Sequence, residues 1–470
     1  METRDRIRGC LIGGAAGDAL GYAVEFMSEK EIRSAFGEKG ITGYKRDEKT
    51  YKALISDDTQ MSLFTANGIL FWETRGMLRG IAGSADKYLT FSYKDWLWTQ
   101  EHPFGKWPEV SNSWILDLPE LYSRRAPGNT CLSALKQLDP RNNDRSFCMN
   151  PINSSKGCGG VMRVAPIGLE GRYIRDHAEV AAEAAAITHG HSLGYMPAAV
   201  LAQMIHSMVF AGMDLEKALE NGIESTKRLF RYDPHLDELT EILKKAVELS
   251  GNGRSDIENI RTLGEGWVAE ETLAIAVYCS LRHKDSFSDG IIAAVNHDGD
   301  SDSTGAVTGN ILGALLGFEA IEGRWKENLE LEDVILELAD DLNRGCELID
   351  GYRCGEEWER KYVHCTGRKA GKYKVITLCG STRFKDEFLE TQKHLTLDGN
   401  IVISVGLFGH SGDDEVWSEG VKEMLDDMHK RKIDMADEIF VINRGGYIGS
   451  STRSEIDYAR SKGKTVRYLE

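Results

Sequence analysis

Up to about residue 368 the apolar positions recur at helical spacing almost throughout. EVAAEAAAITHG (179–190), MPAAVLAQMIHSMVFAG (196–212), LDELTEILKKAVELSG (236–251) and AEETLAIAVYCSLRH (269–283) predict amphipathic or buried helices, parted by Gly, Asp and Asn clusters. No alternating strand pattern and no internal repeat interrupts them. HCTGRKAGKY (364–373) is then a short polar, basic connector, and beyond it the pattern changes. Tyr373–Cys379 is a β-branched run followed by GSTR and the helical FKDEFLETQKHL. NIVISVG (400–406) and EIFVIN (438–443) repeat the strand signal around GVKEMLDDMHKRKIDMA, and a helix from about Arg453 precedes TVRYLE. Strands alternating with helices predict a small parallel sheet with right-handed crossovers. The expected organisation is multidomain. An all-α domain spans 1–363, a linker 364–372, and a small α/β, Rossmann-like parallel-sheet domain 373–470.

A chain of 470 residues has room for two or three domains and a large core. With 74 acidic against 57 basic side chains its formal charge is −17, which disfavours tracking along a nucleic acid. The last hundred residues hold 15 basic and 17 acidic groups, so −15 of that charge sits in the helical part. Glycine is abundant (49) while proline is scarce (9), a bias that suits tight helix packing and backbone held close to a ligand. Nine scattered cysteines without a CxxC pair read as reduced thiols and imply neither a disulfide framework nor a zinc ribbon. The N-terminal METRDRIRGCLIGGAAGDALG could pass for a signal peptide, but Asp18 interrupts its apolar run. Uncharged apolar stretches such as NILGALLG fall short of the roughly 20 residues of a membrane span. A cytoplasmic protein without membrane contact is expected.

Two segments are dense in reactive groups: Ser56-Asp57-Asp58-Thr59 before QMSLFTANGILFW, and Asp300-Ser301-Asp302-Ser303-Thr304 before GAVTGNILGALLG. Helix capping explains either one alone, since Ser, Thr and Asp accept the orphan N–H groups of a first turn. Two clusters of paired carboxylates with hydroxyls also suit Mg²⁺, Mn²⁺ or Ca²⁺ and poorly suit zinc. Brought together, they could hold two cations roughly 3.5–4 Å apart. The stripe Gly305, Gly309, Gly313 and Gly317 costs helix propensity, roughly 1 kcal/mol per Gly against Ala, and predicts close contact with a neighbouring helix.

GGAAGDALG (13–21), then Glu25, then SDDTQM, resembles the opening of the ADP-ribosylglycohydrolase family, which includes the dinitrogenase reductase-activating glycohydrolase and the ADP-ribosylarginine hydrolases. RAPGNTCLSAL (125–135), GCGGVMRVAPIGL (157–169), THGHSLGY (188–195), GEGWVAEETLAIA (264–276) and NHDGDSDSTGAVTGNILGALLG (296–317) follow in the family's order. The resemblance implies an all-α fold, a binuclear Mg²⁺ or Mn²⁺ site, and hydrolysis of the glycosidic bond between ADP-ribose and an acceptor. That acceptor is a modified protein, arginine among the candidates, or a small molecule. It implies Ser56, Asp57, Asp58, Asp300, Asp302 and Ser303 as metal ligands, the two serines standing where the family often has Thr. The cations would grip the ribose hydroxyls, while Asp302 or Glu25 takes the proton from the attacking water. Gly157, Gly159 and Gly160 would offer backbone N–H groups to the diphosphate, and His189 has the adenosine-side position. Trp267 reads as a core aromatic. Asp298, where the family has glycine, adds a carboxylate without an assigned role.

In the last region Cys379-Gly380-Ser381-Thr382-Arg383 follows a strand, and a Gly/Ser loop at a helix start is an anion seat or an ordinary tight turn. Glu455 lies in SSTRSE, on the first turn of the last helix. Together the two motifs resemble the nucleoside 2-deoxyribosyltransferase-like superfamily, including the deoxynucleoside 5′-monophosphate N-glycosidases. The resemblance implies a nucleotide ligand, Gly380 and Ser381 on its phosphate or base, and Glu455 as nucleophile on the sugar, with Ser451 in place of the usual Gly. The assisting aspartate is not evident; Asn443 and Asp437 are the nearby candidates. Two alternatives stay open: a nucleotide- or ADP-ribose-binding regulator without turnover, and a nucleotide N-glycosidase acting through Glu455.

Overall fold

A computed structural model describes residues 2–139, 146–365, 374–406, 408–410, 412–413 and 420–470. The chain divides into two compact units, Met1–Gly367 and Arg368–Glu470. Of the linker expected over 364–372, residues 366–372 lie outside the described ones.

The first unit is built of helices, with only isolated bridges such as Gly157 to Val268 and Arg46 to Ala53 among its described residues. Helical spacing predicts these elements well because each apolar stripe is buried. His177–Ala186, Leu236–Ser250 and Ala269–Arg282 all appear where the pattern places them. Ser192–Ala211 is long and apolar enough to cross a membrane, longer than the stretches singled out in the sequence, but 83% of its apolar window is buried inside the unit. It is a core helix.

Two helices organise the site. Thr3–Tyr22 and Ser301–Leu316 lie against each other through facing glycines. Gly9 meets Gly313, Gly13 meets Gly309, Gly17 meets Gly305 and Gly21 meets Ser301, and a Cβ on any of these four first-helix glycines would land on a carbonyl of the other helix. The expected stripe thus has a matching stripe as its partner. Asn310 Nδ2 donates to the Cys10 carbonyl (2.8 Å) and fixes the register. Long, buried Asp57–Arg79 begins beside the same crossing, so two helix N-termini and the end of a third converge.

The second unit is a parallel sheet in the order β2-β1-β3-β4, with β1 Val375–Gly380, β2 Ile401–Ile403, β3 Glu438–Ile442 and β4 Thr465–Tyr468. Tyr373, the expected start of the first strand, lies outside the described residues. Alternating side chains feed two cores on opposite faces. Ile376, Leu378, Phe440 and Ile442 pack on Phe388 and Leu395 of helix Lys385–Leu397. Cys379, Ile439 and Val441 pack on Ile433 of Val421–Met435 and on Ile456 and Ala459 of Ser450–Ser461. The chain runs outward from β1 to β2 on one side and to β3 and β4 on the other, so the strand order reverses between β1 and β3. A crevice opens there at the C-terminal ends of the strands, at Gly380.

Candidate active site

Asp18, Glu25, Asp57, Asp58, Asp300 and Asp302 are all buried, and each is within electrostatic reach of others in the set. Capping accounts for part of this. Ser56 Oγ accepts the Asp58 N–H (3.2 Å), and Asp300 Oδ1 accepts the Ser303 N–H (3.3 Å), so these two close their helix starts. Asp57, Asp58 and Asp302 sit inside the first turns and are not caps. Asp57 accepts the Gly128 N–H (3.4 Å) while its own N–H donates to the Arg125 carbonyl (3.1 Å), which docks the RAPGN loop beside it.

Asp18 is the member that sequence reasoning missed. Its carboxylate accepts the Ser56 N–H at 3.0 Å and the Thr59 N–H at 3.1 Å, together with the Thr59 hydroxyl, and so clamps the SDDT turn from below. The signal was an aspartate within the apolar run GGAAGDALG, which a buried helix keeps only for a reason. Cys158 was also missed: its thiol donates to Asp300 Oδ2 (2.7 Å).

Burial, then the charge of Asp302, pushes the Asp18 carboxyl up to about 7. Burial followed by Asp302, Asp300, Asp57 and Asp18 raises Glu25 to about 10. Asp57, Asp58 and Asp300 are raised well above the ordinary range, again by burial first and by Asp302 next. Arg125 offers the set no relief, since it pairs with Glu330 (3.2 Å). Two buried oxygens, Asp58 Oδ2 and Glu25 Oε2, have no hydrogen-bond partner. A crowd of hard oxygen donors with surplus negative charge and orphaned lone pairs fits divalent cations. Ser56, Asp57, Asp58, Asp300, Asp302 and Ser303, the donors expected from sequence, all lie buried at the starts of these two helices.

A pH dependence follows. Acids held above their unfolded values keep protons that the unfolded chain releases, so stability is lost as pH rises. For Asp18 the loss develops between about pH 4 and its folded value near 7, and for Glu25 it continues toward 10. In chelator the melting temperature should fall from pH 5 to pH 8, and saturating Mg²⁺ or Mn²⁺ should flatten that slope. A slope unaltered by the cation would refute the linkage.

Other residues singled out in the sequence lie around this set. The N–H groups of Gly157 and Cys158 donate to Ser155 Oγ (3.3 Å) and to the Trp267 carbonyl (3.2 Å). Gly159 and Gly160 are buried and are glycine for packing: a Cβ would sit 2.8 Å from the His189 ring and 2.9 Å from the Gly194 carbonyl oxygen, respectively. His189 is 2% exposed, bonds Thr188 Oγ1 through Nδ1 (2.9 Å), and backs this turn; burial and Arg163 hold it near 3, hence neutral. Trp267 is 42% exposed rather than a core residue, because GEGW is a loop at the rim of a cavity. That cavity, about 490 Å³, is lined by Arg261, Glu265, Trp267, Glu271, His297 and Asp298 among others. It adjoins the acidic set, since the Glu265 carbonyl accepts the Asp300 N–H (2.9 Å). Asp298 itself accepts the Glu29 N–H (2.7 Å) and helps start helix Glu29–Phe36, which gives the unassigned carboxylate its role.

In the second unit a cavity of about 310 Å³ lies in the sheet crevice, lined by Gly380, Ser381, Arg383, His429, Tyr447 and Glu455 among others. Gly380 needs its glycine: φ is +154°, and a Cβ would come 2.8 Å from the Ile442 carbonyl oxygen. Arg383 lies 4.1 Å over the Tyr447 ring and donates to its hydroxyl (3.0 Å). Burial pushes Glu455 up to about 7, even though it accepts a hydrogen bond from Cys379. Neither candidate for an assisting group lines this cavity. Asn443 binds the backbone of Leu469 and Glu470, and Asp437 accepts the Val375 N–H (2.8 Å) at the opposite end of β1. Cys379 and His429 stand beside Glu455 instead.

The helical unit thus gathers buried carboxylates at converging helix starts. The signature of the ADP-ribosylglycohydrolase family matches residues 1–350, so the chain belongs to that family and is a hydrolase of glycosyl bonds. Similar proteins include the ADP-ribosyl-[dinitrogen reductase] glycohydrolase of Rhodospirillum rubrum, 25% identical over 70% of this chain and 92% of that protein. Another is the ADP-ribosylarginine hydrolase Tri1 of Serratia proteamaculans, 25% identical over 73% of this chain and 80% of that protein. A solved "ADP-ribosylglycohydrolase-related protein complex" matches with a TM-score of 0.50 and 26% identity, over 73% of this chain and 98% of that one.

Proposed function

We propose that the helical unit hydrolyses the bond joining ADP-ribose to an acceptor, with protein arginine as the first acceptor class. The observation that carries this reading is the buried set of Asp57, Asp58, Asp300 and Asp302 with Glu25 beside it, its second oxygen unpartnered. The name of the Serratia relative supports arginine. Ser56, Asp57, Asp58, Asp300, Asp302 and Ser303 would hold a pair of Mg²⁺ or Mn²⁺ ions. When bound, that pair supplies positive charge that fixes the vicinal hydroxyls of the ribose and offsets the repulsion among the carboxylates. Glu25 or Asp302 accepts the proton of the attacking water, and neighbouring carboxylate charge stabilises the oxocarbenium-like ribose as the bond to the acceptor breaks. Asp18 and Cys158 hold the SDDT turn and Asp300 in place. The half-exposed Trp267 offers a face on which a flat group, adenine or guanidinium, stacks.

For the second unit, the resemblance of its CGSTR and SSTRSE motifs to the nucleoside 2-deoxyribosyltransferase-like superfamily supports a nucleotide in the 310 Å³ cavity, with Gly380 and Ser381 at its phosphate and Glu455 at its sugar. Nine free cysteines support a cytoplasmic setting.

The test is a panel of ADP-ribosylated arginine, serine, nucleic acid and small molecules, offered to the full chain with Mg²⁺ and with chelator. Release of ADP-ribose that requires the cation is expected, largest for arginine. Tight ADP-ribose binding without release from any linkage would make the chain a regulator. Loss of activity in Glu455→Gln but not in Asp57→Ala would move the reaction to the second unit.

A further inference from the structure

Three side chains of the second unit converge from three different elements. Cys379 is on β1, His429 on helix Val421–Met435 and Glu455 on helix Ser450–Ser461. The Cys379 Sγ to His429 Nε2 distance is 3.5 Å, His429 Nε2 to Glu455 Oε1 is 3.9 Å, and one ligand atom from each lies within 4.8 Å of the others. Cys379 is fully buried, His429 is 7% exposed, and the second Glu455 oxygen is buried without a partner. Sheet packing accounts for Cys379 as a small buried side chain but not for its two neighbours. A buried helix histidine and a first-turn glutamate with an unpartnered oxygen would each be cheaper as apolar side chains at these positions.

We propose that Cys379, His429 and Glu455 bind one divalent cation of borderline softness, of the Zn²⁺ class, leaving a fourth coordination position toward the 310 Å³ cavity that His429 and Glu455 line. The donor chemistry selects this class: a thiolate and an imidazole favour zinc-like ions, as the oxygen-only cluster of the first unit does not. At usual zinc bond lengths a tetrahedral ion separates its sulfur and nitrogen ligands by about 3.5 Å and its nitrogen and oxygen ligands by about 3.4 Å. The first separation is already met, and the second needs Glu455 to close by about half an ångström. On binding, the thiol proton of Cys379 leaves to solvent and the sulfur becomes the ligand. Three protein ligands with an open position facing a cavity are the layout of a reactive rather than a purely structural zinc site. An ion here takes the carboxylate that the nucleotide reading assigns to a sugar, so the two readings are separable.

Co²⁺ titrated into the metal-free full chain is the probe, because only thiolate ligation gives a sulfur-to-cobalt charge-transfer band in the near ultraviolet. One equivalent should saturate the band, stoichiometric Zn²⁺ should remove it, and excess Mg²⁺ should not. Cys379→Ser should abolish it with the far-ultraviolet circular dichroism unchanged. His429→Gln, which spares the strand, should weaken Co²⁺ binding at least about tenfold, the low end of what even an outer-shell partner costs. Should Cys379→Ser fail to fold, the His429→Gln titration decides. Absence of the band in the wild-type chain overturns the proposal, and so does a band unchanged in either folded variant. Nucleotide binding measured in chelator is scored separately, and its loss would count against the nucleotide reading without touching the metal.

Discussion

Asp302→Asn should lower the rate of ADP-ribose release by about a thousandfold, the middle of the range for removing a positioned acid–base group. The same variant should reverse the order of stability between two conditions. The Asp302 charge raises Asp18, Glu25, Asp57, Asp58 and Asp300 together, so in chelator its removal relieves the whole set. Asp302→Asn should therefore melt above the wild type without metal. With Mg²⁺ or Mn²⁺ at a hundred times the dissociation constant the wild type gains about 2.7 kcal/mol by mass action, and the variant should gain much less. A residue that merely packed would lower both melting temperatures. Full cation-dependent activity in Asp302→Asn would overturn both its assignment as a ligand and the proton role it shares with Glu25.

The parts of this site that were legible in the sequence are those written in local spacing. SDDT and DSDST each precede a helical pattern, and the four-residue glycine period announces a close contact. What local spacing cannot encode is which distant face arrives. Asp18 is 38 residues from Ser56 and reads alone as a break in an apolar run; only the fold shows it beneath the SDDT turn. Cys158 reaches Asp300 across 142 residues, and Cys379 reaches His429 across 50. The misplacement of Trp267 has the same origin. An aromatic in a Gly-flanked segment looks like core, but the segment is a loop whose backbone serves Cys158 and Asp300 while the indole faces a cavity. In the second unit the strand and helix order was readable because a buried parallel strand is a continuous β-branched run. The partners of Glu455 were not, because Asn443 and Asp437 are near the ends of β3 but on backbone duty, away from the cavity.

Gly309→Ala should destabilise the helical unit by about 2 kcal/mol or more, although alanine is the better helix former. The propensity gain is about 1 kcal/mol. Against it, the new Cβ would meet the Gly13 carbonyl oxygen head on, with the Gly13 carbonyl carbon at 2.5 Å and the Gly14 nitrogen at 3.1 Å. Overpacking a core typically costs 1–3 kcal/mol when side chains can yield. Here the obstacle is the backbone of helix Thr3–Tyr22, which has no rotamer to change, so a cost near or above 3 kcal/mol is expected. Gly253→Ala is the control: no heavy atom lies within 4 Å of its Cβ position, and a change within about 0.5 kcal/mol is expected. The functional loss should exceed the loss of stability. Gly309 lies two turns beyond Asp302 on the same helix, so pushing Ser301–Leu316 away from Thr3–Tyr22 carries Asp300 and Asp302 away from Asp18 and from the SDDT turn that Asp18 clamps. Chemical denaturation and cation affinity measured on one preparation separate the two effects: the affinity should fall even where the variant is fully folded. A Gly309→Ala protein with wild-type stability and cation affinity would mean that the paired glycines do not set the spacing of the carboxylates, and that the capping bonds of Ser56 and Asp300 alone position the site.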